Sequence, residues 1–347
     1  MGVAHYVIAA FGLALLMVVH EAGHFVAARR YGMRVTRFSI GFGPRLVQHQ
    51  PKGSDTVYQI ALIPFLAYVQ IAGMNPYEET DPADKASYAN AKLWARIVTI
   101  FAGPLANYVF ASLLFFLGFA IGGRVVNDMT VTFPPGDPGP AITAGVQQGD
   151  RILAVAGRHV DEWEDLREAI SAHPGEAIDL EIERKGEVVH VSVTPGPKGA
   201  KNEGRIGILP TGQHREKIGI GTAAVLSVTE PPKVVYLLVR GLARMVVGKE
   251  KLEASGPVGI MKETAAAVKL GPGETLQLLG AISAYLGGFN LLPFPALDGG
   301  RLLFLGFEAA SRRKPDAKVE ARVHAIGLLM MLMLMAIVTY ADIMPKR

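Results

Sequence analysis

Apolar and polar positions along this chain fall into two kinds of pattern. Four apolar runs reach the roughly 20 residues a helix needs to cross a bilayer. They lie near residues 4–28, 97–122, 275–297 and 323–342. The second contains Gly103-Pro104 and the third Pro293 and Pro295. A membrane helix tolerates such breaks when neighbouring groups satisfy the freed backbone. The other pattern is short and alternates apolar with polar residues. Ile178 to Ile182 and Val188 to Val193 predict strands joined by a turn at Lys185-Gly186. Trp163 to Ala172 predicts a short amphipathic helix.

These short elements belong to an insert at 124–212, rich in Asp, Glu, Gly and Pro. At about 90 residues it has the size of an independent domain. Residues 55–72 are β-branched and aromatic and predict a hairpin dipping toward the membrane. Within it, 63–71 is the expected edge strand. Residues 222–253 carry Val234, Val235, Leu237 and Leu238, then Arg240 and Arg244. That stretch reads as too short and too charged to span, so it is expected to lie along the membrane surface. Gly and Pro at 195–204 predict the linker before it. Four regions result: 1–123, 124–212, 213–270 and 271–347.

Composition agrees with apolar blocks around a soluble insert: 50% of the 347 residues are apolar and only 19% charged. The net charge is +4, and no Lys/Arg run carries interleaved aromatics, so nucleic acid is not the expected partner. The absence of cysteine excludes disulfides and cysteine-ligated metal without fixing the compartment. No Lys or Arg precedes the first apolar run and no small-residue cleavage site follows it, so it reads as a retained helix. Charge then sets orientation. The loop between the first two spans holds Arg29, Arg30, Arg34 and Arg37 among other cations, and the loop before the last span holds Arg312, Arg313 and Lys314. The positive-inside rule places both loops in the cytoplasm, with both termini and the insert outside. Lys346 and Arg347 argue weakly the other way.

The first run ends in His20-Glu21-Ala22-Gly23-His24. On a helix, His at i and i+4 share a face and reach one ion, with the intervening Glu placed to take a proton from water. A catalytic zinc keeps three protein ligands and one open position, acidifies water and polarises a carbonyl. Ionisable groups in an apolar span are costly and point to function. No third His follows nearby; the best distant candidate is Asp298, in the stretch Asn290 to Gly300, whose other reading is a carboxylate ending a helix in a Gly-rich turn. At 1.5 Å per residue His20 lies about 24 Å along its helix, and Asp298 at most about 34 Å along the third run. Both reach the cytoplasmic side of a core ~30 Å thick. Asn290 sits deeper and needs a hydrogen-bond partner, whether substrate, an oxyanion or another helix.

Together these residues resemble the site-2 protease family of intramembrane zinc metalloproteases, in the bacterial sigma-E-regulating branch. His20-Glu21-x-x-His24 is similar to that family's first motif and Asn290 to Gly299 to its second, in which the Asp is the third zinc ligand. Phe101 to Asn107 fits its Gly-Pro-x-x-Asn motif, and Gly41-Phe42-Gly43 and Ser255 to Ile260 fit further patterns. Gly139 to Gly157 resembles a PDZ signature, and such a domain adds a peptide as a strand or acts as a gate. Pro64-Phe65-Leu66-Ala67-Tyr68-Val69 stands where the family has Pro-x-Gly-Gly-Tyr-Val.

The resemblance implies a multi-span α-helical membrane protein of about four transmembrane helices. A membrane-associated β-hairpin and one extracytoplasmic α+β PDZ domain complete it. The implied activity is that of a zinc metalloendopeptidase of a bacterial inner membrane, cutting single-span membrane proteins such as anti-sigma factors or remnant signal peptides. Glu21 is the expected base, His20, His24 and Asp298 the metal ligands, and Asn290, Tyr68 and Val69 the substrate-binding candidates. An inactive PDZ-bearing scaffold would lack cleavage; a transporter would show repeated broken helices in two halves, and no such repeat is present. Substrate identity and oligomeric state are not given by these residues.

Overall fold

A computed structural model describes residues 2–75, 78, 80–136, 139–198, 203–246 and 256–344. The Lys346-Arg347 end, Ser255 of the 255–260 motif and residues 247–253 of the expected surface helix lie outside the described residues. The chain forms two compact units, residues 1–122 with 219–347, and residues 123–218.

The first unit begins with α1 (Val3–Arg30), β1 (Val35–His49), β2 (Val57–Ile71) and α2 (Leu93–Gly122). The hairpin is not internal to 55–72. Its partner strand is β1, and the two strands pair antiparallel. Phe38 has both Val69 and Tyr58 as partners, so the first half of β1 lies between the two halves of β2. Pairing with the preceding strand, rather than within the stretch itself, gives the β-branched residues their hydrogen bonds, and a period-2 pattern does not name the partner.

The second unit follows: β3 (Arg124–Asn127), β4 (Val131–Thr132), α3 (Pro140–Thr143), β5 (Arg151–Val155), β6 (Arg158–His159), α4 (Trp163–Ser171), β7 (Ile178–Arg184) and β8 (Glu187–Val193). Then come β9 (Gly196–Lys198), β10 (Glu203–Arg205), β11 (Leu209–Pro210) and β12 (Gln213–Glu216). The central sheet has the order β6-β5-β7-β8. Ile178, Leu180 and Ile182 are buried while Asp179 faces out, the period of two expected of a half-buried strand. Lys185 and Gly186 both have positive φ, 53° and 88°, which is the two-residue hairpin turn that suits the strand twist. The core holds Ile152, Val155, Leu166, Leu180, Ile182 and Ile206. The linker expected at 195–204 is not a linker: β9 and β10 pair antiparallel there, and β12 closes the unit against β3. Gly and Pro bound these short strands rather than the domain.

The first unit resumes with α5 (Ile220–Val246), α6 (Pro257–Leu270), α7 (Pro272–Asn290), α8 (Asp298–Ser311) and α9 (Ala317–Ile343). Four described helices are long and apolar enough to cross a membrane, but not the four expected: α1, α2, α5 and α9. At 27 residues α5 is not too short to span, and its Glu230 and Lys233 pair at 2.8 Å. The third expected run is shorter than 275–297, since α7 stops at Asn290 and a turn leads to α8. α7 carries Glu274 and many small residues, because it is packed against other helices rather than exposed to lipid along its length.

It runs antiparallel to α2. A Cβ on Gly273 would stand 2.5 Å from Gly122 Cα, and one on Gly287 would stand 2.8 Å from the Pro104 carbonyl oxygen. Small residues let the two backbones approach, as is usual where lipid supplies no hydrophobic drive. Leu16, Leu114 and Leu279 bind α1, α2 and α7 together, while Ala28, Val35, Ile71, Ile100 and Leu305 join the hairpin and α8 to the ends of α1 and α2. Outward, α9 exposes Ile326, Leu329, Met333 and Ile337.

Candidate metal centre

The His-Glu-x-x-His turn lies inside α1, so His20 and His24 project from one face, and both are buried. Gly23 lets that face meet α2, since a Cβ there would stand 2.2 Å from the Ala102 carbonyl oxygen. Opposite them comes Asp298. Asp298 does not end a helix but is the first residue of α8, where the helix dipole favours a carboxylate. α7 delivers it: the helix descends alongside α2 and the 291–297 turn carries the chain across to the histidines.

His20 Nε2, His24 Nε2 and Asp298 Oδ2 form a triangle with sides of 3.1, 3.3 and 3.3 Å. Ligand atoms about 2.0–2.1 Å from a tetrahedral zinc stand roughly 3.3 Å apart. Asp298 Oδ2 is buried and has no hydrogen-bond partner. Two imidazoles and a carboxylate are a catalytic-zinc donor set with one position left open. Among the described residues this is the one cluster of this kind. The residues present therefore fit a zinc ion.

Groups behind the ligands orient them. The Thr99 carbonyl oxygen accepts from His24 Nδ1 at 2.8 Å, which leaves Nε2 free as a lone-pair donor. The Asn107 amide lies 3.3 Å from His20 Nδ1 with its nitrogen toward the ring, and its oxygen is buried without a partner. Turning the amide over lets Oδ1 accept Nδ1–H and satisfies both groups when Nε2 holds a metal. Ser283 of α7 donates to the Asn107 carbonyl at 2.8 Å and ties this residue to the third helix. The sequence motif contained Asn107 but gave it no role.

Glu21 points to the hairpin, where its Oε2 accepts from the Val69 N–H at 3.0 Å. The outward edge of β2 thus faces the candidate base. Tyr68 adjoins it, its hydroxyl accepting from Gln59 Nε2 at 3.1 Å. Asn290 is not brought to the triangle by any hydrogen bond. Its Nδ2 donates to Leu286 O of its own helix at 3.0 Å, which satisfies the need that its depth implied.

The model of peptidase family M50 matches residues 8–334. The zinc metalloprotease RasP of Geobacillus kaustophilus is 30% identical over 409 residues, covering 94% of this chain and 95% of that protein. RasP of Oceanobacillus iheyensis is 30% identical over 415 residues, with 95% and 96% covered. A protein of Agrobacterium fabrum, provisionally described as a zinc metalloprotease, is 33% identical over 353 residues, with 95% and 93% covered. The PDZ domain of an SdrC-like protein from Listeria innocua aligns with 26% of this chain and 99% of its own, at 18% identity and a TM-score of 0.22, a likeness that carries no argument.

Proposed function

Given that this chain belongs to peptidase family M50 and is a zinc metalloprotease with described helices long and apolar enough to cross a membrane, we propose that it cuts single-span membrane proteins within the bilayer. The carrying observation is the buried triangle of His20, His24 and Asp298 with Glu21 beside it and the open edge of β2 across from Glu21. His20, His24 and Asp298 would hold the zinc. When bound, zinc supplies the Lewis acid that polarises the scissile carbonyl and acidifies the attacking water. Glu21 takes the proton of that water and returns it to the leaving amine.

A helical substrate hides its amides in its own hydrogen bonds, so it must unwind to be cut. The edge at Tyr68 and Val69 holds an unwound segment as an added strand. Val69 N–H is then wanted twice, by the substrate carbonyl and by Glu21, so strand addition releases the base. Asn290 is a second substrate contact once its amide leaves Leu286. Unit 2 carries a cleft of about 450 Å³ between α4 and residues 204–209, and we assign it to a PDZ-like domain that receives a peptide end.

The protein sits in a bacterial cell membrane with unit 2 outside and the metal centre toward the cytoplasm. Loop charge supports this sidedness. α7 starts level with the end of α2 from which the chain leaves for unit 2, so its first residues share that side.

Glu21→Gln tests the reaction. Co-expressed with a single-span reporter, it is expected to leave the reporter uncut, with at least a hundred-fold loss, while purified protein keeps its zinc. Undiminished cleavage would sink the mechanism, and cleavage of soluble casein alone would sink the membrane substrate.

A further inference from the structure

The turn between α7 and α8 decides where Asp298 stands, and one side chain of α9 holds that turn. His324 Nδ1 accepts a hydrogen bond from the Ala296 N–H at 2.9 Å. Ala296 has φ of +73°, a left-handed conformation that a residue with a Cβ adopts at a cost, so the turn needs outside support. An accepting Nδ1 puts the ring proton on Nε2. Nε2 is buried, and the nearest carboxylate oxygen on that side, Glu320 Oε1, is 3.9 Å away. The ring also packs on Phe304 of α8, centroid to centroid 5.6 Å. One turn further along α9, a Cβ on Gly327 would stand 2.3 Å from Pro295 Cβ, so the helix backbone lies directly on the turn. No hydrogen bond or ion pair joins His324 to His20, Glu21, His24 or Asp298.

We propose that His324 is a positioning residue for the metal: it locks the Ala296 peptide so that Asp298 Oδ2 stands at ligand spacing from both histidines. This rests on the reading of His20, His24 and Asp298 as the zinc site. Outer groups that orient metal ligands typically govern ten- to a hundred-fold in affinity. Here the outer group acts through two backbone residues rather than through the carboxylate.

The test measures zinc affinity of the purified full chain in detergent by competition with a chromophoric chelator. His324→Ala is expected to bind zinc about ten-fold more weakly. His324→Asn, whose Oδ1 takes the place of Nδ1 as acceptor, is expected to recover most of the loss. With cobalt as the metal, the visible absorption of the Ala variant shifts and that of the Asn variant matches the parent. Should His324→Ala fail to fold by thermal unfolding, His324→Phe keeps the ring packing, lacks the acceptor and carries the same expectation. Parental zinc affinity and cobalt absorption in the variant without an acceptor overturn the proposal, as does an Asn variant as weak as Ala. Asp298→Ala separates the two readings. If it keeps parental zinc affinity, the metal site itself is wrong; if it loses zinc while His324→Ala and His324→Phe do not, only the role of His324 falls.

Discussion

Single residues set the tolerances of the metal centre. Gly103 is the sharpest case, because a Cβ there would stand 2.2 Å from His24 Nε2, the atom that must face the ion. Gly103→Ala must push the ring off the triangle, since the Thr99 carbonyl holds its other nitrogen. We expect this variant to fold and to lose most of its bound zinc, as read by metal analysis of the purified chain; a full zinc complement would show that the ring has room to move. The two histidines were legible because i and i+4 on a helix must share a face. Asp298 was legible as a family motif and by its depth. Thr99, Asn107 and His324 were not. Their bonds reach across 75, 87 and 28 residues, and nothing in a local pattern names the far partner.

Elements were legible to the extent that their bonds are local. The β7–β8 hairpin follows from alternation on both sides of Lys185-Gly186, because a two-residue turn fixes the register by itself. β2 is the opposite case, since its partner lies before it across the 50–56 loop. β7 ends in Arg184, whose guanidinium grips Asp150, with Nη2 2.7 Å from Oδ2 and Nε 2.8 Å from Oδ1. Burial by itself would raise the Asp150 carboxyl, but the Arg184 bonds and the Gln147 N–H outweigh it and hold the group below the usual aspartate range. A lowered carboxyl adds stability that is complete above its unfolded pKa, near pH 4, and is lost as pH falls through the still lower folded value. Arg184→Met leaves the Asp150 carboxylate without its guanidinium partner and is expected to destabilise unit 2. Amide hydrogen exchange of residues 151–193 in the full chain at pH 7 measures it; unchanged protection would show that the pair holds nothing.

At the scale of the whole molecule the sidedness proposed above is directly testable. A chain with no cysteine suits single-cysteine labelling. Lys52→Cys, exposed between β1 and β2, is expected to resist an impermeant maleimide in intact cells, and Asp161→Cys, exposed in unit 2, to react. The reverse pattern would overturn the sidedness proposed above. Hydrophobic runs and their charged flanks were enough, without coordinates, to establish a membrane protein with a folded insert and a His-Glu-x-x-His helix, because length, period and net charge are properties of contiguous residues. Which helix lies against which was decided only in three dimensions. α7 lies along α2 because its glycines admit the other backbone. The metal site shares this dependence. The sequence placed His20 and His24 on one face and nominated Asp298, but the 3.1 to 3.3 Å triangle exists only because α7, its turn and α9 bring that carboxylate back across some 270 residues of chain.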